Sequence, residues 1–213
     1  MKKVTKNQKG FTLLEVIVVL AVLGALAAML SPVVFRYIDD GNRVRAQNDV
    51  NTIAAAINQM YKDTGRWPFY ASGTAAVAIN TTTDAVFLTS NSACDAANGA
   101  TGTAGCDTTA PAVGTSGWLF TGKGHHLASQ LVANEPTYPS GRYRGPYLDA
   151  VPALDPWGRS YVVNIENADP AASATNWVIA LSAGANGTIE TADATLVTAP
   201  IVAGGDDIIA RVK

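Results

Sequence analysis

The sequence predicts an α+β protein in which one long N-terminal helix, transmembrane in its first half, packs on a small antiparallel β-sheet head. Three observations carry that expectation. Residues 11–35 form an almost wholly apolar run with a single formal charge, Glu15. Beyond it Val50, Ile53, Ala54, Ile57, Met60 and Tyr61 recur at spacings of three and four, the stripe of an amphipathic helix. Farther on, turn-forming clusters bound two short β-prone runs, residues 161–165 and 177–181.

The chain begins with a basic decapeptide. Residues 1–10 carry Lys2, Lys3, Lys6 and Lys9 and no acid. The whole 213-residue chain is near neutral at −2, and the chain beyond Gly10 carries a side-chain balance of −6. So acidic a remainder offers no electrostatic footprint for nucleic acid. Lysines placed just ahead of an apolar run predict a cytoplasmic N-terminus and a translocated head.

The apolar run sets the next expectation. At ~1.5 Å per helical residue its 25 residues span about 37 Å, enough to cross a hydrocarbon core of about 30 Å with some tilt. A secretory signal has a shorter apolar region, and a small-residue cleavage site comes after it. Here Ser31-Pro32-Val33-Val34-Phe35 stays apolar, so the run is read as retained. Glu15 is the anomaly, because a carboxylate in a low-dielectric setting is costly unless neutralised or paired.

Lys9-Gly10-Phe11-Thr12-Leu13-Leu14-Glu15 resembles the processing site of type IV pilins and type II secretion pseudopilins. The resemblance rests on the Gly-Phe junction, the acid fifth from Phe11, the ten-residue basic leader and the retained apolar helix. It implies cleavage between Gly10 and Phe11 by a membrane-embedded prepilin peptidase, N-methylation of Phe11, and polymerisation with residues 11–35 as filament core. It also gives Glu15 a role, since the amine of a neighbour's Phe11 would neutralise it and set the stagger between subunits.

Residues 36–64 continue as the amphipathic half of the same helix, expected from about Phe11 to Asp63 with Gly65 as its stop. Gly24 and Pro32 are the weak points of its first half. Residues 65–213 form the expected periplasmic head. Within it residues 71–117 are rich in small and polar residues and read as an irregular insertion. That insertion holds the only cysteines, Cys94 and Cys106, for which a disulfide outside the cytoplasm is expected. His125-His126 lacks the further ligands of a usual zinc set. Residues 127–134 are read as a short helix, and no nucleophile motif supports catalysis, so no enzymatic activity is expected.

Asp155-Pro156-Trp157-Gly158 fits a type I turn, with an acid first, proline second and glycine fourth. Together with the N-terminal motif this turn is similar to the signature of the type II secretion major pseudopilin. Residues 180–187 and Gly204-Gly205-Asp206-Asp207-Ile208 likewise resemble that subfamily's calcium loop. Carried across, the ligands are the Leu181 carbonyl, Asn186, Asp206 and Asp207, oxygen donors suited to calcium. Asn186 stands where an aspartate is usual, and Glu190 or Asp193 is left open as a replacement carboxylate.

The expected function is therefore a structural subunit of a periplasmic pseudopilus. Its implied partners are further copies of itself, a prepilin peptidase, an inner-membrane assembly platform, minor pseudopilins and the inner membrane. A type IV pilin forming a surface fibre is the alternative, and a membrane-anchored periplasmic enzyme is the reading from a different class.

Overall fold

The computed structural model describes residues 10–65, 67, 71–72, 75–76, 87–89, 112, 125–132, 142–164, 177–192 and 202–212. Helix α1 runs Leu13–Thr64 without interruption, across both Gly24 and Pro32. Its start is a capping box: the Glu15 amide donates to Thr12 Oγ1 at 3.2 Å, and Glu15 Oε2 accepts from the Thr12 amide at 3.0 Å. Its end is a glycine stop. Gly65 takes φ +70° and donates to the Tyr61 carbonyl at 2.8 Å, closing the last turn. The chain divides into two compact units, Met1–Gly41 and Asn42–Lys213.

In the first unit every described residue of α1 up to Tyr37 is exposed. In the second, α1 buries Ala46, Val50, Ile53, Ile57, Met60 and Thr64, at alternating spacings of four and three. Such a period keeps one stripe facing a flat partner. Tyr61 departs from the sequence expectation. It sits one position off that stripe, is 38% exposed, and stacks on Trp67 with ring centroids 4.0 Å apart.

The partner of the stripe is a five-stranded sheet. Strands β1 (Ala71–Ser72) and β2 (Ala75–Ala76) form a separate two-stranded pair. The main sheet holds β3 (Phe87–Thr89), β4 (His125–His126), β5 (Val162–Asn164), β6 (Ile179–Ser182) and β7 (Ile208–Arg211), in the order β4-β3-β5-β6-β7. From β3 to β7 all neighbours are antiparallel, as expected, while β4 joins parallel to β3. A parallel partner needs a long connection rather than a hairpin, and residues 90–124 supply one. Helix α2, Leu127–Leu131, comes directly after β4.

Alternation along the strands divides the sheet's side chains between two cores. Tyr161, Val163, Val178, Ala180, Ile208 and Ala210 join the cluster that contains the α1 stripe. Val162, Ile179 and Leu181 point to the opposite face, where Ala183 and Ile189 close a smaller cluster. Burial on both faces explains why β5 and β6 read as continuous apolar runs. At roughly 1.5–3 kcal/mol for each large side chain buried, this packing is the main force holding α1 to the head.

Two polar ties fix the register of helix on sheet. Tyr161 Oη donates to Asp49 Oδ2 at 2.6 Å, and Arg45 Nε lies 3.9 Å from the same oxygen. Burial, reinforced by the Asp49 carboxylate, pushes the Tyr161 phenol well above its ordinary range, so it stays a donor at any physiological pH. Gln47 Nε2 reaches the Ile209 carbonyl on β7 at 3.3 Å.

Candidate functional site

Two regions carry the residues singled out from the sequence. The first is the N-terminal junction. Gly10 and Phe11 precede the helix outside any regular element, and Phe11 is 88% exposed. A Cβ added at Gly10 would meet nothing within 4 Å, so no packing among the described residues requires glycine there. Glu15 is exposed on the first turn, and its Oε2 also accepts from Thr12 Oγ1 at 2.9 Å. The capping box therefore gives Glu15 a local partner within the chain, a role that the T-x-x-E spacing signals. The exposed Leu13, Leu14, Ile17 and Leu20 beside it form an apolar surface that calls for lipid or protein cover. By length and composition this segment of α1 can cross a membrane.

The second region is the acidic loop, built where β6 leaves the sheet and β7 enters it. Ser182 ends β6, Ala183 is buried, and a turn runs from Gly184 (φ +63°) to Gly187 (φ +67°), whose amide returns to the Gly184 carbonyl at 3.3 Å. The second arm turns at Gly204-Gly205, where the Asp207 amide donates to the Gly204 carbonyl at 3.0 Å. A Cβ at Gly184 would strike the Asp206 carbonyl and carboxyl, so that glycine lets the two arms close on each other.

The carboxylates organise this closure. Asp206 Oδ2 accepts from the Asn186 amide at 3.0 Å. Asp207 Oδ2 accepts from the Glu190 amide at 2.9 Å, the Thr191 amide at 2.6 Å and Thr191 Oγ1 at 2.6 Å. The other oxygens, Asp206 Oδ1 and Asp207 Oδ1, are buried without a hydrogen-bond partner among the described residues. Asp207 is only 6% exposed. Burial pushes its carboxyl above the usual range, hydrogen bonds from Thr191 and Glu190 oppose that, and the charge of Asp206 adds to it.

Two buried carboxylate oxygens with no donor are what a hard cation would satisfy, so the donor chemistry fits calcium. Among the described residues, however, no three His, Cys, Asp or Glu side chains gather as a metal-holding group. At most two such side chains can therefore contribute to any coordination, and backbone carbonyls, a side-chain amide or water must supply the rest. Leu181 lies inside β6, paired with Val162 and Ile209, one residue from the loop. Asn186 is engaged in shaping the turn: its Oδ1 accepts from the Thr188 amide at 2.7 Å and its Nδ2 donates to Glu190 Oε2 at 3.0 Å. Of the two candidate replacement carboxylates, Glu190 is thus in the loop. Asp193, like Cys94 and Cys106, lies outside the described residues.

The Asp-Pro-Trp-Gly turn and the acidic loop form one polar network. Gly158 donates to the Asp155 carbonyl at 3.0 Å, as a type I turn requires. Asp155 Oδ1 accepts from the Trp157 amide at 3.1 Å and the Arg159 amide at 2.8 Å. Its Oδ2 accepts from Ser182 Oγ at 2.7 Å, and Ser182 Oγ in turn accepts from the Gly184 amide at 3.3 Å. The buried Asp155 thereby anchors the base of the loop, and the Arg159 side chain lies over Gly187. Sequence reasoning missed Ser182 and Thr191, since one hydroxyl within or beside a strand carries no pattern.

Residues 5–31 match the family described as the prokaryotic N-terminal methylation motif. Curated relatives match part of the chain. The toxin coregulated pilin of Vibrio cholerae serotype O1 is 37% identical over 98 residues, 46% of this chain and 43% of that protein. Type II secretion system core protein G of Pseudomonas aeruginosa is 37% identical over 68 residues, 32% of this chain and 48% of that protein. Core protein G of Pectobacterium carotovorum is 32% identical over 76 residues, 36% of this chain and 49% of that protein. The chain thus spans less than half the length of each of these relatives. No solved structure matches.

Proposed function

We propose that this chain, a type IV pilin-like protein by its N-terminal methylation motif and its long helix joined to a small sheet, polymerises into the periplasmic pseudopilus of a type II secretion system. Its leader, residues 1–10, would be removed by a prepilin peptidase between Gly10 and Phe11, and Phe11 would be N-methylated. The subunit would wait in the inner membrane as a single-pass protein, N-terminus cytoplasmic and head periplasmic. An assembly platform and minor pseudopilins would then draw it into the filament.

The observation that carries this reading is the exposed apolar first half of α1, with Phe11 just ahead of it and Glu15 on its first turn. A translocon-based cost of about 2.5–3.5 kcal/mol for an acid at mid-membrane is reason for Glu15 to seek a cation. The amine exposed by cleavage at Phe11 of a neighbouring copy supplies one. In the single subunit, Thr12 holds the carboxylate by hydrogen bonds that do not neutralise its charge.

Core protein G is favoured over a surface pilin by the Asp155 turn and by the acidic loop fastened to it through Ser182. In that loop Asp206, Asp207, the Leu181 carbonyl and Asn186 would hold calcium, which would supply the positive charge that the buried aspartate oxygens lack. The likeness to toxin coregulated pilin over 98 residues supports the second reading, a type IV pilin. Electron microscopy of cells producing the chain with its secretion machinery separates the two. Short filaments confined to the periplasm are expected, whereas long fibres on the cell surface would favour the pilin.

A further inference from the structure

The acidic loop satisfies nearly all of its own backbone donors. Asn186 donates to Asp206, Gly187 to the Gly184 carbonyl, Thr188 to the Asn186 side chain, and Glu190 and Thr191 to Asp207. The amide of Ile189 breaks the series. It donates at 2.7 Å to the carbonyl of Ala112, a residue of the insertion remote from the loop in sequence. The Ala112 amide donates in return to the Gly187 carbonyl at 2.9 Å, and the two bonds make a parallel bridge centred on Thr188.

That bridge sits at the middle of the loop. On one side of it Asn186 holds Asp206, and on the other the Glu190 and Thr191 amides hold Asp207. Ile189 itself is buried in the smaller core, so the peptide groups of residues 187–189 are fixed from both faces. The Ala112 side chain is exposed, which means that backbone atoms alone make this contact.

We propose that Ala112 is a positioning residue for the oxygen site of the acidic loop, so that cation binding and the docking of residue 112 are coupled. The proposal rests on the calcium reading of that loop. The physical reason is spacing. Without the bridge, the segment that separates the two aspartate anchors would have to satisfy the Ile189 amide and the Gly187 carbonyl with water. The two carboxylates would then be held less firmly relative to each other. Because coupling is reciprocal, calcium must tighten the bridge by the factor that the bridge adds to calcium affinity.

Two measurements on the full chain in detergent micelles test this, with calcium chloride as the probe. In the first, amide hydrogen exchange of the wild type is monitored with calcium and with chelator. Calcium is expected to slow exchange at Ala112 and Ile189 together. In the second, calcium affinity is compared by calorimetry among the wild type, Ala112→Ser and Ala112→Pro. Proline deletes the donor to Gly187, and serine keeps it. A roughly three- to ten-fold weaker affinity is expected for Ala112→Pro, the effect of about one hydrogen bond, with Ala112→Ser unchanged.

If the wild type binds calcium, and neither its Ala112 and Ile189 amides nor the affinity of Ala112→Pro respond, the coupling is overturned while the calcium reading stands. A wild type that binds no calcium overturns both. Should Ala112→Pro fail to fold, the exchange data on the wild type decide alone.

Discussion

Glu15→Ala is expected to abolish filaments while leaving cleavage between Gly10 and Phe11 intact. The substitution removes two things at once, the capping box with Thr12 and a negative charge. Loss of the cap alone costs about 0.5–2 kcal/mol, which the rest of a 52-residue helix can absorb. In the proposed filament, loss of the charge would leave a neighbour's Phe11 amine in an apolar core with no counter-ion, a larger penalty incurred at every subunit. Glu15→Gln separates the contributions, because glutamine also serves in a capping box but carries no charge. Glu15→Gln should therefore fail to assemble, as Glu15→Ala does. Filament yield after shearing, read beside the extent of leader removal, is the measurement, and normal yield from either variant would defeat the charge-pairing role.

Removing calcium should lower the melting temperature of the head by several degrees. A cation at a hundredfold its dissociation constant contributes about 2.7 kcal/mol. For a domain of this size each kcal/mol corresponds to roughly 2–4 °C, so a drop of about 5–10 °C on chelation is expected. Asp207→Asn sharpens the test. Its amide group would stand where Asp207 Oδ1 now lacks a donor, while its carbonyl can keep the bonds from Glu190 and Thr191. In chelator the variant should thus be at least as stable as the wild type, because it carries no buried charge. In calcium it should be the less stable of the two and indifferent to chelation. Thermal melts that are the same with and without chelator in the wild type would remove calcium from the description.

Much of the fold is legible in the residues, for identifiable reasons. The α1 stripe shows because a period near 3.5 persists from Ala46 to Thr64, and its stop shows because only glycine readily takes the φ of Gly65. The turn at Asp155 shows because proline and glycine occupy the positions that its geometry prefers. Tyr61 reads from its spacing as a core residue and is not one, because a spacing of three or four does not separate the centre of a stripe from its edge.

The parallel pairing of β4 is a long-range choice that two histidines ahead of a short helix do not disclose. The loop is only half legible. Its glycines and paired aspartates stand out, whereas Ser182 acts through a hydroxyl, Thr191 through its hydroxyl and amide, and Ala112 through backbone atoms alone. Such contacts depend on where a backbone passes, and residue type records little of that.

Identification of the N-terminal residue of the protein purified from its producing cell tests the central claim most directly. Mass spectrometry of the terminal peptide should find residues 1–10 absent and the chain beginning at an N-methylated Phe11. A mature protein that keeps Met1, or that is cut within or after residues 11–35, would contradict it. In either case the Phe11 amine, on which the filament role of Glu15 depends, would never be formed.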